Sequence, residues 1–244
     1  MNKRLAPDAW ITQQPLQPGE RVFAILSNAS DAKPFDAAVG MLPQSIWAGT
    51  AYAEWGEVMP YVGIVEPGSA FCDWVATTEA TDWGWLAVSS SPLDVVIAHL
   101  QSLTKVYLPD GRAVFLRFWD GARFLPILQG LEEEAGRVLP VFRRYLINGQ
   151  PLVVAPVPVT VAKASPWWRV PASLLAGLAQ QSPQTLTDNL LQWLEEHRPE
   201  LYTAFSLATL KHKVAYFSRG PDTCHEALAS YLVCESGGMS ITGP

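Results

Sequence analysis

SPLDVVIAHLQSLTKVYLPDGRAVFLRFWD, residues 91–120, decides the fold, because it reads as a helix running straight into a tight hairpin. Ser91 suits an N-cap, Pro92 the first helical position, and Asp94 stands where a capping box places its acid. Val96, Leu100 and Leu103 recur at helical spacing and end where Thr104 opens a strand. Pro109-Asp110-Gly111 fits a type I turn: proline presets φ, and glycine takes the left-handed conformation that closes a bulged hairpin. That register puts Val106 and Leu108 on one face with Val114, Leu116 and Phe118. Lys105, Tyr107, Phe115, Arg117 and Trp119 share the other face, which is also largely apolar. A sheet apolar on both faces is expected to be covered on both, so the stretch predicts core scaffold.

Working outward, residues 22–26, 61–65 and 85–88 read as short buried strands, and 70–78 and 122–131 as helices. Residues 44–55 fit neither pattern cleanly. Strands interleaved with helices indicate an α/β (α+β) lobe over residues 21–145, with a mixed sheet, preceded by an irregular lead-in over 1–20. Prolines 151, 156, 158 and 166 interrupt residues 146–170, which suits edge strands or a connector. Residues 171–244 read as an all-α lobe. Pro183 starts a helix with Leu186, Leu190, Trp193 and Leu194 on one face. Pro199 opens a longer helical run through Leu201, Phe205, Leu210, Val214 and Phe217 to Arg219-Gly220. Asp222 or Thr223 suits the cap of a last helix that turns Leu228, Tyr231 and Leu232 inward.

The chain has 244 residues, 49% of them hydrophobic and 16% charged, with ten Trp and a net charge of −6. A globular chain of this size buries roughly 70–75% of its unfolded surface and needs no staples. The acidic balance argues against nucleic acid and against an anionic membrane surface as partners. The two early cations have no apolar stretch behind them, no run approaches the length of a membrane span, and three cysteines (72, 224 and 234) form no motif. These features predict a cytoplasmic protein with reduced thiols.

Catalytic constellations are scarce. The four histidines have no ligand-like spacing, and Cys224-His225-Glu226 cannot form a dyad, since adjacent helical residues point in different directions. Ser89-Ser90-Ser91 lacks the Gly-x-Ser-x-Gly elbow, and no phosphate-cradling glycine loop is present. Asp120 is placed to N-cap the helix after it. No cofactor, metal or catalytic residue is assigned, and a binding protein is favoured over an enzyme. The alternatives are a small hydrolase whose Ser89 or Ser90 meets His99 or His225, and an immunity protein that occludes a toxin.

The string "LPDGR" followed by "RFWD" resembles the signature of the type VI secretion adaptor proteins, or effector chaperones (Tap/TEC), a domain-of-unknown-function family. "VFAILSNA" (22–29), "WAGT" (47–50), "PYVGIVE" (60–66), "FCDWV" (71–75) and "WGWLAVSS" (83–90) agree with it in the right order, over roughly residues 21–141. Gly121 departs from the pattern, which has proline after the RFWD acid. The resemblance implies a cytoplasmic adaptor that binds a type VI effector, through its N-terminal segment, and helps load it onto the VgrG spike protein. On that reading, a cleft between the lobes would grip the effector. Trp167, Trp168 and Arg169 are the candidate anchor, because Trp and Arg dominate interface hot spots. Arg117 and Trp119 of the hairpin, and a cationic patch from Lys211, Lys213 and Arg219, complete the candidate partner-binding residues.

Overall fold

The runs VFAIL, YVGIV and WLAV are apolar without alternation, as strands covered on both faces must be. They form the centre of one sheet. The structure is a computed structural model that describes residues 4–37, 41–155, 157–158, 161–181, 183–220 and 224–237. It divides into two compact units, Met1–Leu174 and Leu175–Pro244.

In chain order the first unit holds α1 (Pro7–Gln13), β1 (Arg21–Ser27), α2 (Pro34–Ala37), β2 (Gln44–Ser45), β3 (Pro60–Val65), α3 (Ala70–Thr77) and β4 (Gly84–Ser89). It continues with α4 (Leu93–Ser102), β5 (Lys105–Tyr107), β6 (Ala113–Phe115), α5 (Gly121–Leu131), α6 (Ala135–Val138), β7 (Arg144–Ile147) and β8 (Gln150–Val153). Six strands pair in the order β2–β3–β1–β4–β7–β8, and β5–β6 form a separate two-stranded ribbon. The expected α+β lobe is present, but every named pair is antiparallel. Among the described residues, the parallel register implied by a mixed sheet is confined to one isolated bridge, Tyr107 to Arg169.

One sheet face, with Val22, Ala24, Leu26, Leu86, Val88 and Leu146, packs on Trp10, Phe71, Cys72, Val75 and Trp83. On the other, Phe23, Trp85 and Tyr145 pack with Phe142, and Trp85 stacks on Phe124 of α5. Burying an aromatic or large aliphatic side chain of this kind contributes about 1.5–3 kcal/mol. The Trp85 indole also donates to the carbonyl of Phe118, tying the end of the ribbon to the sheet.

Two further expectations of the first unit need correction. The first twenty residues are not irregular throughout: α1 places Trp10 in the core, 2% exposed, and Leu5 donates to the Gly149 carbonyl at 2.8 Å. Arg144 of β7, itself buried, lies 5.4 Å from the Trp10 ring and donates to the Gln14 carbonyl, so a buried cation pins the segment. Ser91 does not cap α4; Pro92 occupies the N-cap without a side-chain bond, and the Ser91 N–H instead donates to the Ser89 hydroxyl at 2.9 Å.

α7 (Ala172–Gln181) spans the division. The second unit holds α8 (Pro183–His197), α9 (Pro199–Tyr202), α10 (Leu207–Phe217) and α11 (His225–Gly237). Leu190, Leu194, Leu201, Phe205, Leu210, Val214, Leu228 and Leu232 belong to its core. The long helix expected from Pro199 is broken in two. The Thr203 hydroxyl donates to the Pro199 carbonyl, and Ser206 N-caps α10 by accepting from the Thr209 N–H at 3.3 Å. Serine and threonine offer the backbone these local partners in place of continued helix. Leu186, Asp222 and Thr223, given roles above, lie outside the residues or side chains described.

Candidate partner-binding surface

The hairpin forms in the register the sequence implies. Lys105 faces Phe115, Val106 faces Val114, and Tyr107 faces Ala113. Gly111 stands at φ +88° and donates to the Leu108 carbonyl at 2.9 Å, while Leu108 donates to Arg112 at 2.8 Å. The Asp110 carboxylate accepts from both the backbone N–H and the guanidinium of Arg112, which hold its carboxyl below the usual carboxylate range. Val106, Leu116 and Phe118 are buried, at 1%, 7% and 0% exposure. The other face is not covered as expected: Phe115 is 36% exposed, and Lys105 and Tyr107 are half-buried. The reason lies in the topology, since the large sheet extends through β7 and β8, not through this ribbon.

The uncovered face ends a continuous series of rings that runs from core to surface. Trp47, 1% exposed, sits edge-on to Trp119 at 5.1 Å, and its indole N–H donates to Thr104 Oγ1 at 3.1 Å. Tyr52 lies 5.7 Å from Trp47, and Trp55 lies 5.2 Å from Tyr52 and 5.4 Å from Phe115. Trp55 itself is 46% exposed, with Val58, 40% exposed, three residues on. Lys105 Nζ lies over Phe115 at 5.0 Å and over Tyr52 at 5.5 Å. Ring pairs at these separations contribute about 0.5–1.5 kcal/mol beyond area burial, so the outer rings are held in place before any partner arrives. The sequence placed Lys105, Phe115 and Trp119 on one face but missed Tyr52 and Trp55. The spacing of Trp47, Tyr52 and Trp55 in the unassigned 44–55 stretch was the available signal.

RFWD works as a joint. Asp120, 4% exposed, N-caps α5 by accepting from the N–H groups of Ala122 and Arg123 at 3.0 and 3.2 Å, and Arg117 donates to it at 3.0 Å. Burial raises the Asp120 carboxyl above its ordinary range, while the Arg123 N–H and the charges of Arg117 and Arg123 oppose that shift. Gly121, the departure from the family pattern, meets backbone closely: a Cβ there would lie 2.4 Å from the Gly84 carbonyl oxygen and 3.0 Å from that of Thr81. Arg117 keeps 55% of its side chain exposed, whereas Trp119 is 5% exposed and buttresses Trp47.

Trp167, Trp168 and Arg169 lie alongside β5 as a strap. Tyr107 donates to the Trp168 carbonyl and Val170 donates to the Tyr107 carbonyl, both at 2.8 Å. The Trp167 indole donates to Ser102 Oγ at 3.0 Å, and Lys163 lies over its ring at 4.6 Å. Arg169 donates to the carbonyls of Leu108 and Pro109 and lies 5.6 Å from the Tyr107 ring. Both indoles are half-buried and Arg169 is exposed. The structure thus joins this segment to the same ribbon that carries Arg117 and Trp119.

In the second unit Lys213 pairs with Glu235 and lies over Phe205 at 5.3 Å, a bond that raises its ammonium above the ordinary range. Lys211 and Arg219 are exposed. Of the side chains named for catalysis, Ser90 is exposed, whereas Ser89, His99 and His225 are engaged structurally. Ser89 is fully buried and donates to the Val141 carbonyl; His99, 6% exposed, bonds the Val138 carbonyl at 2.8 Å, and burial lowers its imidazole below the usual value. His225 stacks on Trp193 at 4.5 Å, and His197 stacks on the same indole at 5.8 Å. Among the described residues no group of three or more His, Cys, Asp or Glu could hold a metal ion, and no helix is long and apolar enough to cross a membrane.

Residues 22–137 match the family described as a domain of unknown function, DUF4123. That span is nearly the one over which the sequence motifs run, and it contains the aromatic series and the hairpin, but not the strap. No curated protein and no solved structure matches the chain.

Proposed function

We propose that the chain is a non-enzymatic cytoplasmic adaptor that binds a type VI secretion effector and helps load it onto the VgrG spike. DUF4123 is associated with adaptors that load such effectors, and the matched residues 22–137 build a surface where the clustered rings of Trp55 and Phe115 reach solvent. That coincidence carries the reading. WAGT supplies Trp47, the following turns supply Tyr52 and Trp55, and the hairpin with RFWD supplies Phe115 and Trp119. Rigid aromatic side chains set in an otherwise polar rim are the usual anchors of protein interfaces. The non-enzymatic part is supported by the buried, bonded state of Ser89 and His99, which leaves neither hydroxyl nor imidazole facing a substrate.

The strap belongs to the proposed surface, with Trp167 and Trp168 as anchors beside the ribbon. Tagged chain purified from its native cells should carry a large toxin-like protein, with or without VgrG, and the captured toxin should remain active when bound. Inhibition of that toxin would mark an occluding immunity protein instead, and absence of any stoichiometric partner would contradict the adaptor. Replacing Trp167 and Trp168 by alanine should abolish effector co-purification while leaving the fold intact by circular dichroism. Undiminished binding would remove the strap from the surface.

A further inference from the structure

The β5–β6 ribbon has two edges, and one of them is open. In an antiparallel pair, opposed residues alternate between those that exchange hydrogen bonds and those whose N–H and C=O point away from the partner. Leu108 donates to Arg112 and Leu116 to Thr104, at 2.8 and 3.0 Å, so Val106 and Val114 form the bonded pair between them. Lys105, Tyr107, Ala113 and Phe115 therefore turn their backbone groups outward. On the β5 side the strap meets them: Trp168 and Val170 bond Tyr107, and the Ser165 hydroxyl bonds the backbone of Lys105 at 3.1 and 3.3 Å. On the β6 side Ala113 and Phe115 are exposed, and among the described residues no backbone hydrogen bond reaches their outward groups.

The charge around this edge opposes that of the whole molecule. Residues 104–120 and 161–170 carry five cations (Lys105, Arg112, Arg117, Lys163 and Arg169) and two acids, Asp110 and Asp120, which pair with Arg112 and Arg117; with Glu54 and Glu57 beside Trp55 the surface still has one cation in excess, in a chain of net charge −6. Among the described residues no ion pair involves Lys105, Lys163 or Arg169; each lies over a ring of the ribbon or strap. Strands sit about 4.8 Å apart, so the strap's charges are roughly 10 Å from β6, within about one screening length at 0.1 M salt.

We propose that the open edge of β6 takes an extended acidic segment of a partner protein as an added strand. Backbone bonds to Ala113 and Phe115 would set its register. Alternate side chains would rest on Phe115 and Trp55, and its carboxylates would be drawn by Lys105 and the neighbouring cations. A second copy of this chain is not the occupant, since edge-to-edge pairing would bring two positive ribbons together. The inference rests on the adaptor reading for the partner's identity and adds that partner's chemistry.

The test is amide hydrogen exchange of the full chain with two synthetic peptides, acetyl-VEVEVEV-amide and its lysine counterpart acetyl-VKVKVKV-amide. The glutamate peptide should slow exchange at Ala113 and Phe115 by about tenfold or more, less at high salt, and the lysine peptide should not. Ala113→Pro removes an outward N–H without removing a bond to β5, and should abolish the protection; Lys105→Glu, which leaves the backbone intact, should weaken it. Equal protection by both peptides, no protection at these amides, or protection that grows with protein concentration alone would overturn the proposal. A toxin captured by a chain whose Ala113 and Phe115 stay unprotected in the complex would overturn the edge and leave the adaptor standing. Protection by the glutamate peptide in a chain that captures no toxin would do the reverse.

Discussion

β1 and β4 are sealed on both faces and both edges, whereas the β5–β6 ribbon is sealed on one face and one edge. Both regions are built from apolar residues on two faces, so composition does not separate them. Neighbours do. β1 lies between β3 and β4, with Trp10 and Phe71 below it and Phe142 above. β6 has β5 beside it, and on its outer face the partly exposed rings of Tyr52 and Trp55 lie against Phe115. An apolar face left without an element to cover it becomes either a liability or a place for a partner. Lys105 lying over two of the rings, and the excess of cations around them, favour the second outcome.

The contrast is broken most forcefully from the sheet side. Trp85→Ala removes a fully buried ring packed on Phe124, Phe142 and Tyr145 and should cost about 3–5 kcal/mol, read as a lower urea midpoint. A loss below about 1 kcal/mol would mean the sheet face is not the core it is described as. At the joint between the two regions, Asp120→Ala should cost about 1–2 kcal/mol by uncapping α5 and releasing Arg117, and Asp120→Asn should recover most of it. If both variants lose equally, the cap bonds are not what Asp120 contributes.

Acid should weaken the fold through His99. Burial lowers its pKa, so between the ordinary imidazole value near 6.5 and the lower folded value the unfolded chain binds more protons. Stability is then lost as pH falls through that window and is fully present above it. His99→Gln should flatten the fall between pH 7 and pH 5 in thermal unfolding, and an unchanged slope would assign it elsewhere. On the ribbon, Trp55→Ala and Phe115→Ala together should cost about 1–3 kcal/mol, less than Trp85→Ala, because ring pairs with Trp47 and Tyr52 are lost but both side chains are already partly in water.

Much of this contrast was legible in the sequence, but not its direction. The hairpin register, the bulged turn at Gly111 and the Asp120 cap all follow from local chemistry and are present. What failed was the step from "apolar on two faces" to "covered on two faces", which depends on what pairs beyond β5 and β6. Local pattern carries no such information. Residues 44–55 were unassigned for a related reason: after the two residues of β2 the chain runs through turns, with Trp47, Tyr52 and Trp55 held by rings from distant segments and not by a periodic element. Trp167 and Trp168 stood out by residue type, but only the backbone bonds to Tyr107 show that they border the ribbon.

Parallel capture decides whether the uncovered face of the ribbon holds an adaptor's partner. Tagged wild type and the Trp55→Ala/Phe115→Ala variant would be purified side by side from native cells and their bound proteins quantified by mass spectrometry. A large toxin-like protein is expected on the wild type and about tenfold less or lower on the variant, whose folded state is checked by circular dichroism. Equal recovery on both, or no stoichiometric partner on the wild type, would contradict it.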